Sequence, residues 1–229
     1  MTIALLTLLA ADALPFLDRP IAFPPEREAL TLDYIRQHYD DKATTIDIRP
    51  VMIVLHYTAN GSLEGLYGIF NPTKLAGRPE LLAAGAVNVS SQFATDRDGQ
   101  AYRLMPETKM ARHVVGLNRH AIGVENVARN AGELTAAQIE ANVKLVRWLK
   151  AKYPAIRYLI GHHEYLAFRQ SPLWEEKDPG YFTKKGDPGD AFMQAVRQRV
   201  ADLGQRQWPA RLEEQRQQVG DPLERVGHG

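Results

Sequence analysis

Tyr158-Leu159-Ile160-Gly161-His162-His163-Glu164 opens a stretch that continues through a polar loop to Lys184-Lys185-Gly186-Asp187-Pro188-Gly189 and closes at Phe192. An apolar run here delivers two adjacent imidazoles. Roughly two dozen residues later a carboxylate sits in a tight Asp-Pro-Gly turn, with Lys185 two places before it. Neutral imidazole nitrogen and carboxylate oxygen are both zinc donors, and a catalytic zinc takes three protein ligands and leaves one position to water. The stretch therefore reads as half of a catalytic metal site. The best candidate for the missing ligand is His56, at the end of the apolar run Val51-Met52-Ile53-Val54-Leu55.

The flanking segments say how such a site would be held. Thr135 and Gln138 fit a capping box, Leu134 and Ile139 fit a hydrophobic staple, and Val143, Val146 and Leu149 continue a buried helical stripe that Pro154 ends. Ile156 to Gly161 then reads as a buried strand reached by a helical crossover, a strand–helix–strand unit. If that strand runs through the histidine pair, period-2 alternation sends His162 and His163 to opposite faces, so that only one can be a ligand. Beyond the Asp-Pro-Gly turn, Ala191 to Leu203 reads as a helix with Phe192, Val196 and Val200 on one face. Residues 205–218 read as a charged peripheral helix, and 219–229 as a frayed tail.

Upstream, residues 51–56 form an unbroken apolar strand, as in the middle of a sheet covered on both faces. Met52, Val54 and His56 share one face, so the imidazole emerges where the strand ends. A lone histidine there is more often structural than a ligand; the company it keeps decides. Ala121 to Val127 is another strand, with Gly123 and Glu125 on one face. A carboxylate inside an apolar strand must pair with a cation or face a cleft, because burying an unpaired charge is costly. Gly123 beside it would leave room for a substrate. Asp96-Arg97-Asp98-Gly99 is a hairpin-turn signal between strands at Ser90–Thr95 and Gln100–Met105. Thr58 to Gly85 holds short helical pieces, Leu63 to Phe70 and Pro79 to Ala84, in a crossover that could wall a groove. Leu14 to Pro25 carries four prolines and reads as an extended lead-in. A short helix follows at Leu30–Tyr39, with His38 on its solvated surface.

With 229 residues, 45% of them hydrophobic, the chain can bury one good core and shows no internal repeat. The expectation is one α/β domain over residues 14–204, a mostly mixed central sheet flanked by helices. A net charge of +1 gives no reason to invoke nucleic acid, and the absence of cysteine leaves His, Asp and Glu as the available metal ligands. The apolar block of residues 1–13 is too short to span a bilayer but suits the h-region of an export signal, with Ala11-Asp12-Ala13 as a cleavage site. No Lys or Arg precedes it. The alternative is an N-terminal helix docked on the domain.

Six motifs in order carry a resemblance: Val54-Leu55-His56-Tyr57-Thr58, Asp96-Arg97-Asp98-Gly99, Ala111-Arg112-His113, Ala121-Ile122-Gly123-Val124-Glu125, Ile160-Gly161-His162 and Lys185-Gly186-Asp187-Pro188-Gly189. Together they resemble the zinc-dependent N-acetylmuramoyl-L-alanine amidases of the type 2 family, relatives of phage amidase lysozymes and of peptidoglycan recognition proteins, over roughly residues 25 to 200. The resemblance implies an amidase-like fold and one zinc ion held by His56, His162 and Asp187. Asp178, in a second Asp-Pro-Gly turn, is the reserve candidate for the third ligand. It also implies Glu125 as the acid/base, Lys185 as the partner of the oxyanion, and His113 as a residue lining the substrate site. Gln92, in Ser91-Gln92-Phe93, stands where relatives often carry histidine, a departure that removes no ligand.

The bond implied is the amide between the lactyl group of N-acetylmuramic acid and the L-alanine of a peptidoglycan stem peptide, cut by a monomer acting on peptidoglycan or muropeptides. Such a substrate favours a periplasmic or secreted enzyme, although members of the family that recycle muropeptides work in the cytoplasm. Two rival readings stand beside it. A non-catalytic peptidoglycan-binding module would be expected to lose a ligand or the acid/base; a zinc hydrolase of another amide or ester would keep the triad and differ in the groove.

Overall fold

The computed structural model describes residues 14–203; the expected export signal at residues 1–13 and the C-terminal helix and tail at 205–229 lie outside them. The core is a six-stranded sheet in the order β1-β4-β3-β5-β2-β6, built from β1 (Leu17–Asp18), β2 (Met52–Tyr57), β3 (Phe93–Thr95), β4 (Ala101–Arg103), β5 (Ala121–Asn126) and β6 (Tyr158–Gly161). Pairing is parallel except at the β3–β4 hairpin, which makes the sheet mixed as the sequence predicts.

The unbroken apolar run of β2 takes the central place, flanked by β5 and β6, where only a strand without polar side chains can be covered on both faces. On one face Ile53, Leu55, Ile122, Val124 and Leu159 meet α4 (Ala136–Lys152) and α5 (Asp190–Arg199) through Val146, Leu149, Phe192 and Val196. On the other, Met52, Val54, Ala121 and Ile160 meet Val114, Leu117, Tyr165 and Phe168. The predicted capping box starts α4: Thr135 accepts from Gln138 N and Gln138 accepts from Thr135 N. The crossover after β2 holds α2 (Leu63–Phe70) and the single turn α3 (Pro79–Leu82). Among the described residues no helix is long and apolar enough to cross a membrane.

Four expectations need correction. The helix expected at Leu30–Tyr39 is α1, Pro25–His38; Pro25 occupies its first turn, where a missing N–H costs nothing and a fixed φ suits the helix. The extended lead-in contains β1, which pairs with β4 and is pinned by Asp18 to Arg103 at 2.6 Å. His38 is not a surface residue: it is 4% exposed, with Nδ1 2.9 Å from Glu176 Oε1 and Nε2 donating to Ala84 O at 2.7 Å. Its burial depends on a loop 138 residues away, which helical periodicity cannot reveal. Finally, β6 stops at Gly161, and a 3-10 helix over His162–Phe168 takes up the histidine pair.

Candidate metal centre

Strand register builds the site. His56 on β2 is the direct partner of Glu125 on β5, and Leu55 is the partner of Gly161 on β6. His56, Glu125 and the first residue after β6, His162, therefore leave neighbouring strands on one face and at one end of the sheet. The backbone under His56 is fixed by Asn126, whose side-chain amide donates to His56 O at 2.9 Å while its own oxygen accepts from Thr95 Oγ1 and Asn142 Nδ2. Sequence reading missed this buried network. An asparagine closing an apolar strand was the available signal.

Asp187 completes the group. His56 Nδ1 and His162 Nδ1 lie 2.9 Å apart, and each is 3.2 Å from Asp187 Oδ2. The three form the only His/Cys/Asp/Glu group among the described residues that could hold a metal ion. Two ring nitrogens this close repel through their lone pairs unless a proton or a cation lies between them. With zinc–nitrogen and zinc–oxygen distances of about 2.0–2.2 Å, a tetrahedral site has donor–donor edges of about 3.3 Å. The observed triangle is close to that, and its donors are the types zinc takes. Burial, reinforced by the His56 imidazole, pushes His162 down to about 4, so its ring is neutral near pH 7 and offers a lone pair. Burial raises the Asp187 carboxyl, but the His162 and His56 imidazoles beside it outweigh that and hold it well below the ordinary range. Asp178 lies elsewhere, its carboxylate accepting from Gly180 N in its own turn.

The far side of His56 is also engaged. His56 Nε2 lies 3.0 Å from His113 Nδ1, and His113 Nε2 lies 3.4 Å from Ala121 O. With Nδ1 of His56 turned into the triangle as a lone-pair donor, Nε2 carries the proton and donates to His113, which holds the ring in one tautomer. Burial and the neighbouring His56 and His162 rings keep His113 well below its ordinary value, so it stays neutral and can accept. Gly123 is what admits this ring: a Cβ there would lie 2.9 Å from His113 Cγ and Nδ1. The space expected for substrate beside Gly123 is thus filled by an imidazole. Gln92 is buried just before β3, its side chain donating to Lys109 O and accepting from Gly123 N.

Glu125 stands at the edge of the triangle with Oε2 buried and without a hydrogen-bond partner. It makes no ion pair among the described residues and lines the cleft, so of the two readings of a carboxylate in this strand, pairing with a cation or facing a cleft, the second holds. Burial pushes its carboxyl up to about 7; the Asp187 charge adds to this, while His56 and Lys185 oppose it. Lys185 is exposed and lines the same cleft, as do Arg78 and Lys184. The cleft, about 340 Å³, runs from the triangle between α2 and α3 on one side and the 181–187 loop on the other. Arg112 ties these walls together by donating to Leu81 O, Gly85 O and Val87 O and to Tyr181 Oη.

The family model described as Amidase_2, N-acetylmuramoyl-L-alanine amidase, matches residues 47–190, more than half of the chain. The solved amidase LysC from Clostridium intestinale URNW shares the fold, at 22% identity and a TM-score of 0.50, covering 68% of this chain and 88% of that one. Other solved relatives are the endolysine amidase LysCS from the same organism, at 20% identity and TM-score 0.43 over 75% of this chain and 84% of that one, and an AmpD derivative, at 21% and 0.47 over 80% and 94%. No curated protein sequence matches the chain. The span of the family match takes in His56, His113, Glu125, His162 and Asp187, and on it the chain belongs to the Amidase_2 family of N-acetylmuramoyl-L-alanine amidases.

Proposed function

We propose that this amidase is a zinc enzyme that hydrolyses the bond between the lactyl carbonyl of N-acetylmuramic acid and the L-alanine nitrogen of the stem peptide, with His56, His162 and Asp187 as the metal ligands. The observation that carries this reading is the triangle of three donors set beside Glu125, whose Oε2 is buried and has no hydrogen-bond partner among the described residues. When bound, zinc would supply Lewis-acid polarisation of the scissile carbonyl and acidify water.

The protein residues do the rest. Glu125, with a carboxyl pushed up to about 7, exists in both protonation states near neutral pH. As carboxylate it takes a proton from the attacking water; as acid it returns that proton to the departing nitrogen. The carbon–nitrogen bond breaks, a carbon–oxygen bond forms, and the products are a lactyl carboxylate and the free amine of L-alanine. Lys185 brings a positive charge to the cleft where the carbonyl oxygen becomes an oxyanion. His113 keeps His56 in the tautomer that directs Nδ1 inward.

We place the enzyme outside the inner membrane as a monomer, with residues 1–13 as its export signal, because the polymer it cuts lies there. The test of the chemistry is mass spectrometry of products from purified peptidoglycan and a defined muropeptide, using zinc-loaded, chelated and Glu125→Ala protein. Intact stem peptides beginning at L-alanine, released only by the loaded parent, would support the reading. Tight binding without release would favour a non-catalytic module, and inertness on both substrates would favour another amide or ester.

A further inference from the structure

The histidine next to a metal ligand has no place in the chemistry above, yet it is closely engaged. His163 is 13% exposed; its backbone N–H donates to Asp187 O at 2.9 Å, and its Nδ1 lies 3.0 Å from the same oxygen. A carbonyl only accepts, so Nδ1 carries the proton and donates. The two bonds use both lone pairs of that carbonyl. On the other side of the ring, Nε2 is 2.9 Å from Asp190 Oδ1, but that carboxylate is 90% exposed and such a contact contributes little. The ring lies close against Gly161: a Cβ there would be 2.5 Å from His163 Cε1, 2.7 Å from Nδ1 and 3.0 Å from Pro188 Cδ.

The loop that carries Asp187 has almost nothing else to hold it. From Lys184 to Pro188, among the described residues, the only hydrogen bonds are those of Asp187: its carboxylate to the two imidazoles and its carbonyl to His163. Gly186 and Gly189 flank it and add backbone freedom. A ligand on such a loop loses entropy on binding metal unless the backbone is fixed beforehand.

We propose that His163 is a positioning residue for the metal centre: through Nδ1 and its backbone N–H it clamps the Asp187 carbonyl and so sets the Asp187 carboxylate opposite His56 and His162. The inference rests on the reading of these three residues as metal ligands. It makes the His162–His163 pair a division of labour, one ring facing the metal position and the next holding the third ligand. Gly161 then has a stated purpose, which is to leave room for the second ring.

The test compares the full-length parent with His163→Ala, His163→Asn and His163→Gln. Zinc affinity is measured by chelator competition on metal-free protein, and the cobalt-substituted forms are compared by their visible absorption. The amide nitrogen of asparagine falls near the lost Nδ1, whereas that of glutamine falls near Nε2. The expected result is that Ala and Gln lose about 10- to 100-fold in zinc affinity, the usual cost of removing an outer-shell partner, and change the cobalt spectrum, while Asn recovers most of both. Equal affinity in His163→Ala and the parent overturns the assignment, as does recovery by Gln and not by Asn. If His163→Ala does not fold, the Asn–Gln comparison decides alone. A parent that binds no zinc overturns the metal-centre reading itself, a different result from a parent that binds and variants that bind equally.

Discussion

His56 and Glu125 are register partners across the parallel pair β2–β5, so a metal-ligand candidate and a half-buried carboxylate leave the sheet side by side on the same face. The relationship is set by backbone hydrogen bonds and not by contact between the two side chains. Substituting one should therefore leave the position of the other unchanged, which makes their roles separable.

Glu125→Gln should keep zinc and lose turnover by about 10²- to 10⁴-fold, the usual worth of a positioned acid/base. The same substitution has a stability signature in metal-free protein. Burial raises this carboxyl from 4.5 to about 7, so the folded state favours the protonated form. That preference stabilises the parent fully below the unfolded value and is lost as pH rises through the folded one. Denaturant unfolding at pH 4 and pH 8 should show Glu125→Gln gaining on the parent by about 1–3 kcal/mol between the two. A difference that does not change with pH would mean that Glu125 is already ionised at little cost.

Metal removal should abolish activity, and His56→Ala should lose both zinc and activity while Asp178→Asn loses neither. Zinc bound at 100-fold above its dissociation constant should stabilise the parent by about 2.7 kcal/mol, read as a rise in melting temperature that His56→Ala does not show. Full zinc stoichiometry in purified His56→Ala would remove that residue from the ligand set.

His113 and Gly123 should behave as one unit. Gly123→Ala drives a Cβ to 2.9 Å from the His113 ring, which must move off His56. Both Gly123→Ala and His113→Ala should weaken zinc binding by about tenfold or more, since each removes the acceptor for His56 Nε2. The double variant should be little worse than either single one, a coupling that a thermodynamic cycle measures. Full additivity would separate the two effects.

The fold was legible where local pattern and tertiary role coincide. The apolar β2 run, the hairpin turn and the Thr135 capping box each specify an element and its place with short-range chemistry, and the mixed α/β sheet follows from them. In the triangle, a histidine ending β2 and a carboxylate in an Asp-Pro-Gly turn were legible from strand end and turn, while the choice of His162 over His163 and of Asp187 over Asp178 followed from the resemblance to the amidase family. What stayed hidden are side chains whose partners come from distant segments. His113 fills the space beside Gly123, and the engagement of His163 depends on a loop 24 residues on. Periodicity gave His38 a solvated face, but Glu176 and Ala84 cover it.

That buried His38–Glu176 pair supports the last prediction. His38 at the end of α1 reaches Ala84 O after α3 and Glu176 before the 181–187 loop, so it joins two walls of the cleft. Glu176 Oε1 also accepts from Asp178 N at 2.9 Å, which fixes the start of that loop. Glu176→Ala would leave a buried imidazole nitrogen without its partner, which costs about 1–3 kcal/mol. The loss should appear as a lower denaturation midpoint together with a raised KM, because the cleft walls loosen. Zinc affinity should change little, because the triangle is held separately by β2, the end of β6 and the Asp187 turn. A variant with normal KM and weakened zinc binding would show that the clasp supports the metal centre and not the groove.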